Sequence, residues 1–543
     1  MQSRYLDSFA KGAFAGIVSL GFLYLLRLAD LAPFPPNDAL QAFLKIIPAS
    51  VQEPSVQMLG GSAGGLGLII ASIIALVVYG IFGLVYEVWF AKLAMQGVTR
   101  FERFLVYSLL PFLFFGLLVL PASGVSVFGI GSSFGTSAKF WLFPISQLFA
   151  NAFFGLLLYW QYPSITQAEK IGTIRPLNSQ EPRTLARRTF VEKGILAVGA
   201  LALLATGIDG LLSAQGGGSS AGILNGSPID TSNEPQIFKD PRLASLVDSE
   251  VTSNGSFYQV DIDFFTPSIN VSDWSLQVGG LVQNPKTYSM SDLQSLPKTT
   301  EYNTFECVSN DVNGGLISNA EWGGIRLKDL FSDLGGLASG AEYVVFYSTD
   351  GYSVGIPIAK ANMADSMIAY EMNSVALPKN HGYPLRAVIP GLYGMMSAKW
   401  IRKIQVVNAP YTGYWQTRGW SDVGRVQTLA FITTPSNGAS QSLSQNGGSA
   451  IVGGYAYAGD RGISKVEVSV DGGRTWQETT LKPPISKDTW TLWAYKWTPI
   501  STGTVEVYAR ATDGTGAVQT SVSTPNFPNG ATGYAATTIV LTN

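Results

Sequence analysis

Hydrophobic positions fall into two regimes along this chain. Up to residue 215 they come in long charge-free runs, and beyond residue 250 they alternate with polar positions over short distances. No charged residue occurs between Glu53 and Glu87, where Leu66–Tyr86 is the densest apolar run, and none from Phe104 to Ala138, which covers Phe104–Leu120 with Pro111 inside it. Phe140–Tyr162 is another run, Gly12–Leu26 a shorter one between Lys11 and Arg27, and Gly194–Leu212 a fifth with Asp209 near its end. Roughly 20 apolar residues in helix cross the ~30 Å hydrocarbon layer of a bilayer, so these runs predict five membrane-spanning helices. Lys and Arg in the short connections set the orientation. With the N-terminus cytoplasmic, the inner segments hold Arg4, Lys11, Lys92, Arg100, Arg103, Lys170, Arg175, Arg183, Arg187, Arg188 and Lys193, against Arg27, Lys45 and Lys139 outside. The expected placement is therefore multi-pass in a cell membrane, with everything beyond residue 213 extracytoplasmic.

The fifth run follows Arg187-Arg188-Thr189-Phe190-Val191-Glu192-Lys193, which looks like a twin-arginine export signal, here internal. Residues 214–244 begin with a Gly/Ser/Asn-rich tether. Between 245 and 412 the pattern is mixed: strand-like Trp274–Val278, helical Ser291–Leu296 and Leu327–Leu334, and strand-like Tyr343–Tyr347, which reads as α+β. From 413 to 543, alternation at Val466, Val468 and Val470 and at Val505, Val507, Ala509 and Ala511, each ending in an Asp-Gly turn, predicts an immunoglobulin-like β-sandwich. Its Trp490, Trp493 and Trp497 read as core and rim aromatics. The expected organisation is thus multi-domain: an all-α transmembrane region at 1–165, a basic cytoplasmic loop at 166–193, a fifth span at 194–213, a linker at 214–244, an α+β domain at 245–412 and an all-β sandwich at 413–543.

Composition narrows the chemistry. Of 543 residues 46% are hydrophobic and 13% charged, with mean hydropathy +0.21. The part beyond residue 215 carries 21 basic against 27 acidic residues, an ordinary acidic surface that argues against nucleic-acid binding. One cysteine, Cys307, excludes an intrachain disulfide, a CxxC pair, a structural zinc site and an iron–sulfur cluster built from this chain. One histidine, His381, excludes bis-histidine haem, and a zinc hydrolase would lack histidine ligands.

Cys307 ends a predicted strand and opens a polar loop in Thr304-Phe305-Glu306-Cys307-Val308-Ser309-Asn310-Asp311-Val312-Asn313-Gly314-Gly315. A thiolate so placed can face a cavity and suits a heavy transition metal. A second block runs from Tyr370-Glu371-Met372-Asn373 through Asn380-His381-Gly382-Tyr383-Pro384-Leu385-Arg386 to Ser397-Ala398-Lys399-Trp400-Ile401. Together these blocks resemble the sulfite-oxidase-like family of molybdopterin-dependent oxidoreductases over residues 250–543, with the sandwich resembling that family's dimerisation domain. The resemblance implies Cys307 as the protein ligand to molybdenum, the pterin dithiolene supplying two more sulfurs. It implies His381, Arg386, Ser397, Lys399 and Trp400 as residues around the pterin cofactor. It also implies a pterin-site acid at Asp350 and an active-site tyrosine at Tyr352. Independently, a phosphate-bearing cofactor needs a cationic anchor such as Arg386 or Lys399.

Two departures bear on substrate. Where sulfite oxidases proper place arginines, this chain has Asn310-Asp311-Val312 after the cysteine and Tyr258-Gln259-Val260-Asp261-Ile262-Asp263 in the earlier loop. Carboxylates there would repel sulfite, with Arg326 as one possible substitute. The expected function is a membrane-anchored, extracytoplasmic molybdenum oxidoreductase performing oxygen-atom transfer on a small molecule. The alternatives are a methionine-sulfoxide-type reductase, a sulfite dehydrogenase, or a cofactor-free membrane-tethered adhesion protein. Expected partners are the membrane, a separate quinone- or haem-bearing electron carrier and a second copy of the chain. The front helices would anchor the chain or dock that carrier.

Overall fold

The computed structural model of the protein describes residues 2–28, 73–86, 100–119, 148–152, 154, 156–157, 233–262 and 266–543. Two compact units are formed, one from 1–47 with 55–221 and the other from 48–54 with 222–543.

The first unit is helical where it is described. Helix α1 spans Gln2–Leu28, the described part of α2 is 73–86, α3 spans Arg100–Phe114 and runs into a wider π turn at Phe115–Val119, and further helical residues lie at 148–152, 154 and 156–157. Helices α1 and α2 touch through glycines: a Cβ on Gly12 would come within 2.8 Å of the Gly83 Cα. Polar groups inside are paired, Ser19 Oγ donating to the Ala150 carbonyl at 2.9 Å and Tyr79 OH to Asn151 Oδ1 at 3.4 Å. The expected transmembrane all-α region, and with it multi-pass placement in a cell membrane, is overturned: among the described residues no helix is long and apolar enough to cross a membrane. The reason is length against charge. In α1 the charge-free segment Gly12–Leu26 rises only about 22 Å. The 15 residues of α3 begin with Arg100, Glu102 and Arg103. The fifth span at Gly194–Leu212 and the twin-arginine-like motif lie outside the described residues.

In the second unit, the α+β part contributes strands β1 (Leu276–Gly280), β2 (Lys286–Tyr288), β3 (Thr299–Glu306), β4 (Ile317–Arg326), β5 (Tyr343–Ser348), β6 (Ser353–Pro357), β7 (Met367–Met372), β8 (Val375–Ala376), β9 (Arg386–Val388) and β10 (Ile401–Val407). They form two sheets, ordered β2-β1-β10-β5-β6 and β3-β4-β7-β8, with β9 pairing β7. The short helix Met290–Gln294 starts at a capping box in which Ser289 and Asp292 satisfy each other's backbone N–H groups. Leu327–Asp333 is helical as the spacing predicts, burying Leu327, Leu330 and Phe331.

The remaining strands are β11 (Leu429–Thr434), β12 (Ser440–Ser442), β13 (Ala450–Tyr457), β14 (Ile463–Ser469), β15 (Gln477–Glu478), β16 (Thr480–Leu481), β17 (Thr491–Trp497), β18 (Gly503–Asp513) and β19 (Ala535–Thr542). They build a sandwich from sheets β11-β13-β17-β16 and β12-β19-β18-β14-β15. The first of these sheets is buried on both faces. Ala430, Ile432, Val452 and Trp493 face the second sheet, whereas Leu429, Phe431, Ile451 and Leu492 join the core of the α+β part. Side-chain alternation along each strand thereby welds the sandwich to its neighbour.

One buried ion pair crosses this junction. Lys482, just after β16, donates to Glu250 Oε2 at 2.6 Å, with both side chains about 5% exposed or less. Burial pushes the Glu250 carboxyl up, opposed by Lys482. Removing one partner strands a buried charge, so Lys482→Met is expected to lower unfolding free energy by about 3–5 kcal/mol, and adding Glu250→Leu to recover most of it. Urea denaturation of the two variants checks this; equal stability of single and double variants would contradict it.

Candidate active site

Strand β3 delivers Cys307 to its end, and the ten residues 307–316 loop out before β4 begins. The loop is closed by its own polar groups. Cys307 N donates to the Leu316 carbonyl at 2.9 Å, and Asn310, 2% exposed, accepts from Leu316 N at 2.9 Å while donating to Glu306 Oε1 at 3.1 Å. It is also held from the sandwich. Asn526 Nδ2 donates to the Ser309 carbonyl and to Asp311 Oδ1, both at 2.9 Å, and Asn313 Oδ1 accepts from Ile432 N at 2.6 Å. Cys307 is 8% exposed, with Sγ 3.0 Å from Ser309 Oγ.

Three tyrosines feel the Cys307 thiol: Tyr258, Tyr352 and Tyr393, each pushed well above the ordinary phenol range, first by burial. Tyr352 donates its hydroxyl to the Met395 carbonyl, and Tyr393 OH accepts from Gln427 N at 3.2 Å. Asp350 sits in the β5–β6 turn, where its Oδ1 accepts from Tyr352 N at 3.0 Å. Glu306, 1% exposed, is pushed up to about 8 by burial, against the pull of the Asn310 amide.

The second group gathers around the turn at 378–382. His381 is 1% exposed, and its Nε2 lies 2.7 Å from the Asn254 carbonyl. A carbonyl can only accept, so Nε2 carries the proton and donates. Burial lowers the imidazole to about 4, leaving it neutral at pH 7. Arg386, at the start of β9, is 4% exposed; its Nη1 donates to the His381 carbonyl at 3.0 Å, and its guanidinium lies 4.6 and 4.7 Å from the Phe305 and Trp322 ring centres. Among the described residues no carboxylate lies at ion-pair distance from Arg386, and burial pulls it down to about 10. Lys399 pairs with Asp261, donates to the Asn380 carbonyl at 3.1 Å and lies 4.6 Å from the Trp400 ring centre. Trp400 Nε1 donates to the Lys379 carbonyl at 2.7 Å, and the Trp400 carbonyl accepts from Thr349 N at 2.9 Å, which ties this turn to the one bearing Asp350. Ser397 Oγ accepts from Ile389 N at 3.1 Å and so braces the segment between the two groups.

A strap at 254–261 covers the second group: besides Asn254 and Asp261, Gln259 Oε1 accepts from Asn380 Nδ2 at 3.3 Å. Within the strap, Gln259 Nε2 donates to Asp261 Oδ2 at 2.6 Å. The strap's Tyr258 and Asp261 drew attention in the sequence only as replacements for arginines. The Asp261 charge is met by Lys399, so it does not confront an incoming anion alone. Arg326 does not substitute for the missing arginines. It lies nine residues along β4 from the loop, roughly 30 Å of strand, and pairs with Glu301 at 3.3 Å.

The donor set suits the group implied above. Among the described residues no set of three or more His, Cys, Asp or Glu is disposed to hold a metal ion, so a metal at Cys307 must bring most of its ligands with it, as a dithiolene does. A buried guanidinium with no carboxylate at ion-pair distance among the described residues, next to a neutral imidazole, is an arrangement that an added anion would stabilise.

Residues 264–415 match the oxidoreductase molybdopterin binding domain, and residues 423–528 the Mo-co oxidoreductase dimerisation domain. The chain is 30% identical over 339 residues to the sulfite oxidase of Arabidopsis thaliana, covering 53% of this chain and 86% of that protein. To the sulfite oxidase of Gallus gallus it is 31% identical over 328 residues, covering 52% of this chain and 70% of that protein. The structure of the sulfane dehydrogenase SoxCD from Paracoccus pantotrophus aligns at 24% identity and a TM-score of 0.43, over 50% of this chain and 74% of that one. With a braced single thiol, a buried cation seat and relatives matched over most of their length, the chain belongs to the molybdopterin-dependent oxidoreductases of sulfite-oxidase type.

Proposed function

We propose that the protein catalyses two-electron oxygen-atom transfer on a small molecule at a molybdopterin centre ligated by Cys307. The bound centre supplies the oxygen-atom and electron chemistry. The chain's own residues position it. Arg386 and Lys399 neutralise the anionic end of the pterin cofactor, and the neutral His381 offers Nδ1 as an acceptor while Nε2–H holds the strap. Trp400 and Asp350 close that side through the tied turns, and Ser397 fixes the backbone between. Tyr352, buried by the thiol with its proton on the Met395 carbonyl, orders the pocket wall. The carrying observation is the pairing of one loop-braced thiol with a buried guanidinium that has no carboxylate partner among the described residues.

Electrons pass to or from a separate carrier protein, and the sandwich joins two copies of the chain, a role the dimerisation-domain match supports. A second reading, sulfite dehydrogenation, is favoured by the likeness to plant and bird sulfite oxidases. A cofactor-free adhesion role leaves the buried Arg386 guanidinium without an anion at ion-pair distance among the described residues.

Metal analysis after expression in cells that make the cofactor is expected to give about one molybdenum per chain, from the single thiolate ligand. Zero would return the cofactor-free reading. Cys307→Ser should abolish turnover with the fold intact by circular dichroism, because a hydroxyl is a poor ligand for this centre; retained activity would remove Cys307 from the metal. Arg386→Ala should reduce pterin and molybdenum content several-fold through loss of a charge-assisted anchor, and unchanged content would place the anchor elsewhere.

A further inference from the structure

Strand β3, which ends at Glu306 just before the thiol, is an outer strand: it pairs with β4 alone, and its other edge presents backbone groups that no strand meets. The sandwich covers that edge instead. Ser486 Oγ donates to the Tyr302 carbonyl at 2.9 Å, Thr304 N donates to the Asp488 carbonyl at 3.1 Å, and Tyr457 OH donates to the Thr304 carbonyl at 2.6 Å. Trp490 N adds a bond to Thr304 Oγ1 at 2.9 Å. The β16–β17 loop, 482–490, thus stands in for a neighbouring strand along the chain leading into Cys307.

A second buried acid faces Asp488 across this junction. Asp488 is 4% exposed, and Asp365, in the turn before β7, is 6% exposed. Lys487 lies between them, its Nζ donating to Asp365 Oδ2 and standing 3.4 Å from Asp488 Oδ1. Its own side chain is 63% exposed, so water weakens its hold on both. Each acid keeps one buried oxygen, Asp365 Oδ1 and Asp488 Oδ1, without a hydrogen-bond partner among the described residues. When both acids are ionised, two carboxylates share one ammonium; a single proton removes the excess charge and supplies a donor. Burial, and after it the Asp365 charge, pushes the Asp488 carboxyl up to about 6. Burial acts on Asp365 too, but Lys487 outweighs it and holds that carboxyl below the ordinary range. The other groups facing Asp488 are Lys360, on the helix Ile358–Ala361 and paired with Asp460 at 2.9 Å, and Tyr457 of β13, which Glu306 and Arg461 also reach.

We propose that Asp365 and Asp488 form a proton-operated clamp on the strand that carries the thiol. With one proton on the pair the 482–490 loop grips the β3 edge; with none, repulsion between two buried carboxylates loosens the loop from Tyr302 and Thr304, and the freedom passes to the 307–316 loop. The clamp goes beyond the oxygen-transfer reading and does not depend on it. Its sign follows from linkage. Asp488 ionises more readily once the loop has opened to water, so opening becomes easier as pH rises from the ordinary carboxylate range to about 6, and levels off above that. Asp365, held low, completes its ionisation below that window and does not reverse the trend.

Hydrogen exchange across pH 4.5 to 7 on the full-length, molybdenum-loaded protein, with each rate divided by the intrinsic rate at its pH, reads the opening directly. In the parent, opening constants for peptides covering 299–306 and 482–490 should rise roughly tenfold over that range. The 307–316 peptide should move the same way, while 535–542, which has no titratable side chain, should stay within about twofold. Asp488→Asn should abolish the rise. Asp365→Asn, which keeps Asp488 and removes its neighbour's charge, should retain a rise whose midpoint lies at lower pH. Protection at 299–306 that does not change with pH in the parent would overturn the clamp, as would a rise that persists in Asp488→Asn or one that stops short of 307–316. A midpoint in Asp365→Asn equal to the parent's would overturn the pairing, because burial alone would then set it.

Discussion

A ten-residue loop that must hold a nearly buried thiol at a fixed point carries a row of backbone N–H and C=O groups that water reaches poorly, and each left unpaired costs free energy. Asn310 answers from within the loop, meeting Leu316 N and Glu306, while Asn526 and the Ile432 backbone answer from the sandwich. The thiol's position is therefore a property of two folded parts at once. Burial of both faces of the β11-β13-β17-β16 sheet makes that joint bracing rigid, because the sandwich cannot shift without breaking the core it shares with the α+β part.

The cation seat obeys the opposite rule. Arg386 is deep among aromatics with only carbonyls to donate to, an arrangement that costs stability unless an anion arrives. Lys399 is balanced by Asp261 on a strap that also engages His381 and Asn380. The strap therefore places a countercharge on Lys399 and leaves Arg386 without a carboxylate at ion-pair distance among the described residues.

How much of this was legible in the sequence depends on the range of the interaction. The sandwich strands declare themselves because alternation is a property of adjacent residues; Val466 and Val468 in β14 and Val507 and Ala509 in β18 are all fully buried. Helix Leu327–Asp333 follows for the same reason. The Cys307 and His381–Arg386 blocks are local motifs, so their resemblance could be recognised without the fold. Composition alone misled in the front part, because an apolar run says nothing of where a helix stops: the charge-free part of α1 is bounded by Lys11 and Arg27, and α3 opens on three charged residues. The pairing of Asp261 with Lys399 was invisible because 138 positions separate them. Only the fold turns a carboxylate that reads as repulsive into one that is neutralised.

The same distance hid the importance of Tyr258. In the sequence it is a neutral residue where an arginine is expected, which counts as a loss. In the structure the Tyr352 and Tyr393 hydroxyls are engaged by backbone groups, whereas the Tyr258 hydroxyl has no hydrogen-bond partner among the described residues. Selectivity in a buried site follows from such differences, since a donor already satisfied by the protein gains little from a substrate, while an unsatisfied one discriminates against any molecule that cannot meet it. What the cations of this chain can do thus depends less on how many it possesses than on how the strap and its ion pair have already used them.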